Sequence, residues 1–492
     1  LLGAKEKTKM EGKILSRRDF LRLGGLAAAG TVLGACAPAA PQVIKETVEV
    51  PIEQTVEVPV KETVVVEVTQ APPPLEEVVM QYWMPDCDVE CWEPHEAWAA
   101  RYSELHPNVT FEHRGAAWGD FWAKLPLELA AGTGPDMWWH HVFMTSLAVD
   151  GHIEPFSDED VAQLRQTHER IDVHMLNGRL YFFDEGVMSG LLFYNKAMWE
   201  EAGLTDADVP KSWDELVEVA KELTITNADG EIERAGFVPE PTCTFFALKF
   251  QLGEFNFDET GTKAYINTEG ARTATQMVLD LIDKHKVFSR AMPRPFDAFK
   301  AGLAAMVYNF TWLATELPMA APEIEYGCAL IPTLDGKTPP AYDRGNTEAT
   351  TVVSSHTTPE KKQIAFDFIK WYTGDRDMMI ERSKGGVAPV LKSIFDDPEI
   401  VSDPVVSALV KQTERCVWSG QAPAYEDTVR SEIGDAVVLS DAQSIEVGLQ
   451  KTQKAVQEAI DDKLEAGELV YWGYQEHNYK YADELHIPEL LG

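Results

Sequence analysis

A chain of 492 residues with a formal net charge of −37 is too long for one hydrophobic core and too acidic to grip a phosphate backbone. Nucleic acid is therefore excluded as a partner class, and a strongly anionic ligand is disfavoured. The acidic residues are spread along the chain rather than gathered in a tail, as on a solvated surface.

The first segment sets the address. Lys5, Lys7, Lys9 and Lys13 precede Ser16-Arg17-Arg18-Asp19-Phe20-Leu21, and an apolar run of small residues extends from Leu23 to Ala35. That is the basic and apolar pattern of an export signal over 1–35, with paired arginines of the twin-arginine route and Met10 a candidate start. The run is shorter than the roughly 20 residues that cross a bilayer. It ends in Leu33-Gly34-Ala35-Cys36, which resembles a lipoprotein cleavage site, so Cys36 is the expected lipidation site. The expected location is the outer face of the cell membrane, with the chain held there by its lipid.

Residues 36–75 read as a linker. IKETVEVP (44–51), IEQTVEVP (52–59) and VKETVVVE (60–67) form a repeat closed by Ala71-Pro72-Pro73-Pro74. Alternating Val and Glu with regular prolines suits an extended, solvated tether; the alternative is a small β-solenoid, too short to bury its valines alone.

From residue 77 strand and helix patterns alternate. Val78 to Trp83 reads as a buried strand, Pro94 opens a helix through Leu105, and Val109-Phe111-His113 alternate as a second strand. Phe121, Leu125 and Leu129 line another helix stopped by Gly132, and Met137-Trp138-Trp139 resumes a strand. This order predicts an α/β fold with mostly parallel sheets, whose ligands sit beyond the strand carboxyl ends. Ser212 with Glu215 forms a capping box, and Thr358-Pro359 opens a further helix.

Of six cysteines, Cys87 and Cys91 are close enough for a local disulfide in an oxidising compartment. With His95 they form a metal set that lacks a fourth ligand, so no metal and no cofactor is expected. Cys243, Cys328 and Cys416 read as core residues.

Several blocks look familiar. LAAGTGPDMWW (129–139), LLFYNKAMWEEAGL (191–204) with PKSWDELVEVAKELT (210–224), AFKAGLAAMVYNFTW (298–312), CALIPTLDG (328–336), and TPEKKQIAFDFIKWYTG (358–374) with GGVAPVLKSIFDDPEI (385–400) occur in order. Together they resemble the extracellular solute-binding proteins of family 1, which include maltose- and other oligosaccharide-binding proteins. Trp138-Trp139 and Trp199 depart from the usual aliphatic or Phe residues of those blocks.

The resemblance implies a two-lobe, type II binding-protein fold with hinge crossovers. Lobe one would span 76–186 plus 330–373, and lobe two 187–329 plus 374–492. It implies a monomer that is not an enzyme, holds a sugar between its lobes and delivers it to the permease subunits of an ABC importer.

A sugar offers apolar C–H faces and hydroxyl rims, so its cleft needs flat rings and planar polar groups. Trp312, just past a strand, matches a tryptophan that stacks on sugar in maltose-binding relatives. Asn309 either bonds ligand or holds the turn. Trp83 and Asp86 follow the first strand, and His140 and His141 the third, where relatives contact ligand. Trp118 and Asp120 precede a helix, with an N-cap role the alternative for Asp120. Met188 and Ser189 lie by the first crossing and Asn346 by the second; Tyr425 and Trp418 lie in the late segment that supplies a stacking ring.

Two rival functions are open at this level. A glycoside hydrolase or lyase needs two carboxylates facing one bond. Asp184-Glu185 is adjacent, but neighbours on an extended segment point opposite ways. No Gly-x-Ser-x-Gly, His-Glu-x-x-His or Walker motif is present. A binder of glycerol-phosphate, polyamine or another charged solute is the other rival, with Arg114, Arg179, Arg294 and Arg344 as anion ligands.

Overall fold

The computed structural model describes residues 43–47, 65–69, 76–86, 88–141, 144, 146–258, 260–418, 428–467 and 489–491. The export signal, Cys36, Cys87 and Tyr425 lie outside the described residues. The chain divides into one unit at Leu1–Glu76 and a second at Glu77–Gly492.

In the first unit, part of the expected tether pairs with itself. β1 (Val43–Thr47) and β2 (Val65–Thr69) form an antiparallel ribbon with Ile44 opposite Val68 and Lys45 opposite Glu67. The Val/Glu alternation that keeps a tether soluble is also a strand pattern.

Among the described residues the second unit holds two five-stranded sheets, a three-stranded sheet and a short ribbon of Met175–Leu176 with Arg179–Leu180. In lobe one, β3 (Val78–Asp86), β4 (Val109–Ala117), β5 (Met137–Trp139), β6 (Ile153–Glu154) and a late strand lie in the order β4-β3-β5-late strand-β6. β3 pairs in parallel with β4 along its whole length, from Val78↔Val109 to Asp86↔Ala117, and with β5 through Tyr82↔Met137 and Trp83↔Trp138. Met80, Tyr82 and Met84 are fully buried and Trp83 nearly so, whereas Gln81 is half-buried and Val79 exposed.

α1 runs Asp88–Leu105, so Pro94 sits inside the helix rather than opening it, and Cys91 is helical. Its Trp98 stacks on Tyr372 at 4.9 Å between centroids. α2 begins at Trp118 and ends at Ala131, with Gly132 at positive φ closing it.

The chain leaves lobe one through β7 (Asp184–Met188), which runs through Ser189 into β8 (Gly190–Asn195) of lobe two. There α3 (Trp213–Leu223) follows the expected capping box: Glu215 N donates to Ser212 Oγ at 3.2 Å, and Ser212 N to Glu215 Oε2 at 3.2 Å. β9 (Ile225–Thr226), β10 (Ile232–Val238), α4 (Pro241–Gln251), α5 (Glu269–Asp283), β11 (Ala304–Phe310), α6 (Leu313–Ala320) and β12 (Tyr326–Ala329) complete the lobe in the strand order β9-β10-β11-β8-β12.

β13 (Asp343–Ala349) carries the chain back, through Thr350, to β14 (Thr351–Ser354), the late strand of lobe one. α7 (Pro359–Gly374), capped by Thr358, buries Ala365, Phe368 and Tyr372 as its spacing predicts. α8 (Arg376–Lys384) precedes Gly385–Ala388, a segment beside β7 that leads back to lobe one, where Glu169 N donates to Val390 O. α9 (Pro404–Thr413), β15 (Cys416–Trp418), a π-helix (Arg430–Leu439) and α10 (Ile445–Glu465) follow.

The sheets are more mixed than the strand–helix alternation predicts. Parallel pairing joins β4-β3-β5, β10-β11 and β13-β15, whereas β8 and β14 are antiparallel to their neighbours. Those two enter their sheets from the other lobe, so no local helical crossover fixes them parallel. Among the described residues no helix is long and apolar enough to cross a membrane.

Candidate functional site

The hinge is a sheet of its own. β7 and β13 pair antiparallel with Met188 opposite Asn346, and β13 pairs parallel with β15 so that Gly345 lies opposite Trp418. Four expected site residues from three distant segments (Met188, Ser189, Asn346, Trp418) therefore meet where the chain crosses between lobes. Met188 is buried. The backbones of Asn346 and Trp418 are placed by the pairing; their side chains are not described.

Ser189 is fully buried, which removes it from direct contact with a ligand. Its Oγ donates to Arg344 O at 3.0 Å and accepts from Gln412 Nε2 at 3.0 Å, so it ties the two crossings together. Ala388 joins this hinge by exchanging backbone hydrogen bonds with Val187 at 2.7 and 3.0 Å.

Below these strands is a buried polar network that the sequence does not reveal. Glu185 Oε1 accepts from Arg382 Nε at 2.9 Å and lies 3.3 Å from His95 Nε2, while Tyr372 OH donates to Glu185 Oε2 at 3.2 Å. Tyr82 OH bonds His95 Nδ1 at 2.8 Å and Thr351 Oγ1 at 2.5 Å. Asp184, on the opposite face of β7, takes Arg170 Nε at 2.7 Å and His174 Nε2 at 3.0 Å. Burial pushes both carboxylates up. For Glu185 the His95 and Arg382 side chains outweigh it, and for Asp184 His174 and Arg170 do, so both end below the usual range.

Lobe one presents its strand carboxyl ends beside this floor. Asp86 closes β3 opposite Ala117, next to Trp118, and His140 and His141 follow β5. The side chains of Asp86 and Trp118 are not described. Trp83 is in the core, with the Arg114 guanidinium 4.4 Å above its ring. Asp120 is not the N-cap: Ala117 holds that place, and exposed Asp120 sits in the first turn, 3.3 Å from Lys124.

His140 is fully buried against Phe182, and neither ring nitrogen has a hydrogen-bond partner among the described residues. Burial first, then the neighbouring His141 and His174, lowers its pKa to about 3. It is a neutral core imidazole, contrary to its expected ligand role. His141 is partly exposed beside Trp139 and Trp122.

Lobe two contributes the end of β11. Trp312 is partly exposed at the start of α6, with the edge of Phe296 at 5.0 Å between centroids. Asn309 Nδ2 donates to Phe310 O at 2.9 Å, so its amide holds the turn. Arg344 is buried between the rings of Phe310 and Phe246, at 5.0 and 5.6 Å. α6 packs beside α1, which brings lobe two against lobe one next to Trp312. Phe296, Phe310 and Arg344 became visible as a group only through the fold. Among the described residues no group of three or more His, Cys, Asp or Glu could hold a metal.

The model of the bacterial extracellular solute-binding protein family matches residues 97–408. The chain belongs to that family. The resemblance read from the motif blocks is therefore borne out, and a family of extracellular proteins locates the chain outside the cytoplasm.

Over 277 residues the chain is 24% identical to a binding protein of Brucella abortus (strain 2308), covering 54% of this chain and 65% of that one. It thus spans just under two thirds of that relative. Over 353 residues it is 22% identical to the maltotriose-binding protein of Pyrococcus abyssi, covering 68% and 73%. The maltodextrin-binding domain of Bdellovibrio bacteriovorus bound to maltotriose superimposes with a TM-score of 0.65 at 20% identity, over 79% of this chain and 100% of that one. The GacH receptor of Streptomyces glaucescens gives 0.66 at 19%, over 79% and 100%. Both are binding proteins of the same two-lobe fold.

Proposed function

We propose that this chain is the substrate-binding component of an ABC importer and takes a neutral sugar or oligosaccharide into the cleft between its lobes. One observation carries the reading: a partly exposed indole, Trp312, stands at a strand end next to Thr311, which is bonded to Gly386 beside the hinge strand β7. A ring face supplies stacking, and the hinge lets two half-sites close on a guest. The maltotriose-binding relative and the sugar-bound neighbours support the same ligand class. The contacts proposed to remain available are Trp312 and, around the cleft, Asp86, Trp118, His141, Asn346 and Trp418.

The acidic pair argues against hydrolysis. Asp184 and Glu185 are each committed to their own buried partners and share no bond-sized gap. Delivery to permease subunits needs no chemistry from this chain. Lipidation at Cys36, with residues 36–75 as spacer, would hold it at the membrane.

A thermal-shift screen of the purified protein against mono- and oligosaccharides, glycerol-3-phosphate and polyamines tests the reading. A sugar at about 100 times its Kd adds roughly 2.7 kcal/mol of stability. A shift with glycerol-3-phosphate or a polyamine and none with any sugar overturns it, and turnover of an oligosaccharide restores the enzyme reading.

A further inference from the structure

Two histidines far apart in sequence meet on the edge of lobe one away from the hinge. His152 Nδ1 and His356 Nε2 lie 2.8 Å apart, although 204 positions separate the residues. His152 precedes β6 and is half-buried; His356 follows β14 and is exposed. From the opposition of these two imidazoles we infer a surface chelate for one late first-row divalent cation, with water in the remaining positions.

The distance suits the chemistry. A metal–imidazole bond is about 2.0–2.1 Å, so two nitrogens at a right angle around one ion stand about 2.9 Å apart. Imidazole is the ligand that Ni²⁺, Cu²⁺ and Zn²⁺ favour among ordinary side chains at a water-exposed site. In the absence of metal the same pair forms one hydrogen bond, with one ring donating and the other accepting.

The backbone beneath the pair is fixed. Ser355 N donates to His152 O at 3.0 Å, and Ser355 Oγ to Gly151 O at 2.6 Å. His356 N donates to Ser354 Oγ at 3.2 Å, and Ser354 N to Asp136 O at 2.9 Å. The two rings are thus presented by segments already bonded to each other, which lowers the ordering cost of chelation. A chain of net charge −37 also draws cations toward its surface.

The pair lies apart from the sugar site. Val353 is paired with Met137, at the start of β5, whereas the cleft lies past the other end of that strand. Metal and sugar are therefore expected to bind independently.

Titration calorimetry of the full chain with NiCl₂ tests the chelate, using His152→Gln and His356→Gln as variants. The expected result is one ion per chain, weakened at least tenfold by either substitution, with both variants melting at the wild-type temperature when metal is absent. Ni²⁺ should raise the melting temperature of the wild type alone, because the ion ties two strand ends. No binding, or binding that survives both substitutions, overturns the site and leaves a hydrogen-bonded pair.

Discussion

Asp184 and Glu185 are chain neighbours that face opposite sides of one hinge strand, each closed off by its own arginine and histidine. Removing one charge breaks a buried ion pair. Glu185→Gln takes the carboxylate charge away from Arg382, which is 3% exposed, and is expected to cost about 3–5 kcal/mol in urea unfolding at pH 7. Because Glu185 is held below the ordinary value of 4.5, its contribution is full above that pH and is lost as pH falls through the lowered folded value. The gap between variant and wild type should accordingly shrink in acid; a gap that stays constant to pH 3 would contradict this account.

Trp312 tests the cleft. Its indole is partly exposed and touches Phe296 edge-on, so truncation removes a stacking face without opening the core. Trp312→Ala is expected to weaken the proposed sugar by about 2 kcal/mol, roughly thirtyfold, as for a buried aromatic anchor. Isothermal titration with the best sugar from the screen measures it. Unchanged affinity alongside a large loss of stability would return Trp312 to the core.

Much of this architecture was legible because local rules and tertiary packing agree. Trp213, Leu216, Ala220 and Leu223 fall on one helical face behind a capping box, and all four are buried. What the sequence hid are relationships across distance. Asn346 reaches Met188 only because two crossings pair, and Glu185 meets Arg382 across 197 positions. His140 was misjudged for the same reason: its place after a strand is readable, but its packing on Phe182 is not.

Lys249 offers a test by pH. The side chain is fully buried; Nζ donates to Phe255 O at 2.6 Å and to Asn256 Oδ1 at 3.0 Å. Burial lowers its pKa to about 7, with Glu254 opposing. The unfolded chain thus holds the proton more tightly, and stability rises with pH above 7 by up to about 1.4 kcal/mol per unit. Lys249→Met should abolish that slope between pH 7 and 9.5 while removing both buried hydrogen bonds, at about 1–3 kcal/mol. Urea midpoints of both proteins across the range measure the difference, and parallel curves would refute it.

Gly386 couples the segment beside β7 to the cleft. Its φ is +86°, and an added Cβ would stand 2.5 Å from the carbonyl oxygen of Thr311, the residue before Trp312. Thr311 Oγ1 in turn donates to Gly386 O, so the two backbones are held in mutual contact. Gly386→Ala meets both a disfavoured conformation and a backbone atom with no freedom to swing aside, and should cost about 2 kcal/mol or more. Relief must come from moving Thr311, which carries Trp312 with it, so sugar affinity should fall together with the urea midpoint. Gly374→Ala is the control: that glycine ends α7 with nothing within 4 Å of an added Cβ, and the change should be neutral or slightly stabilising. If Gly386→Ala bound and unfolded like the control, the segment beside β7 would have no hold on the position of Trp312.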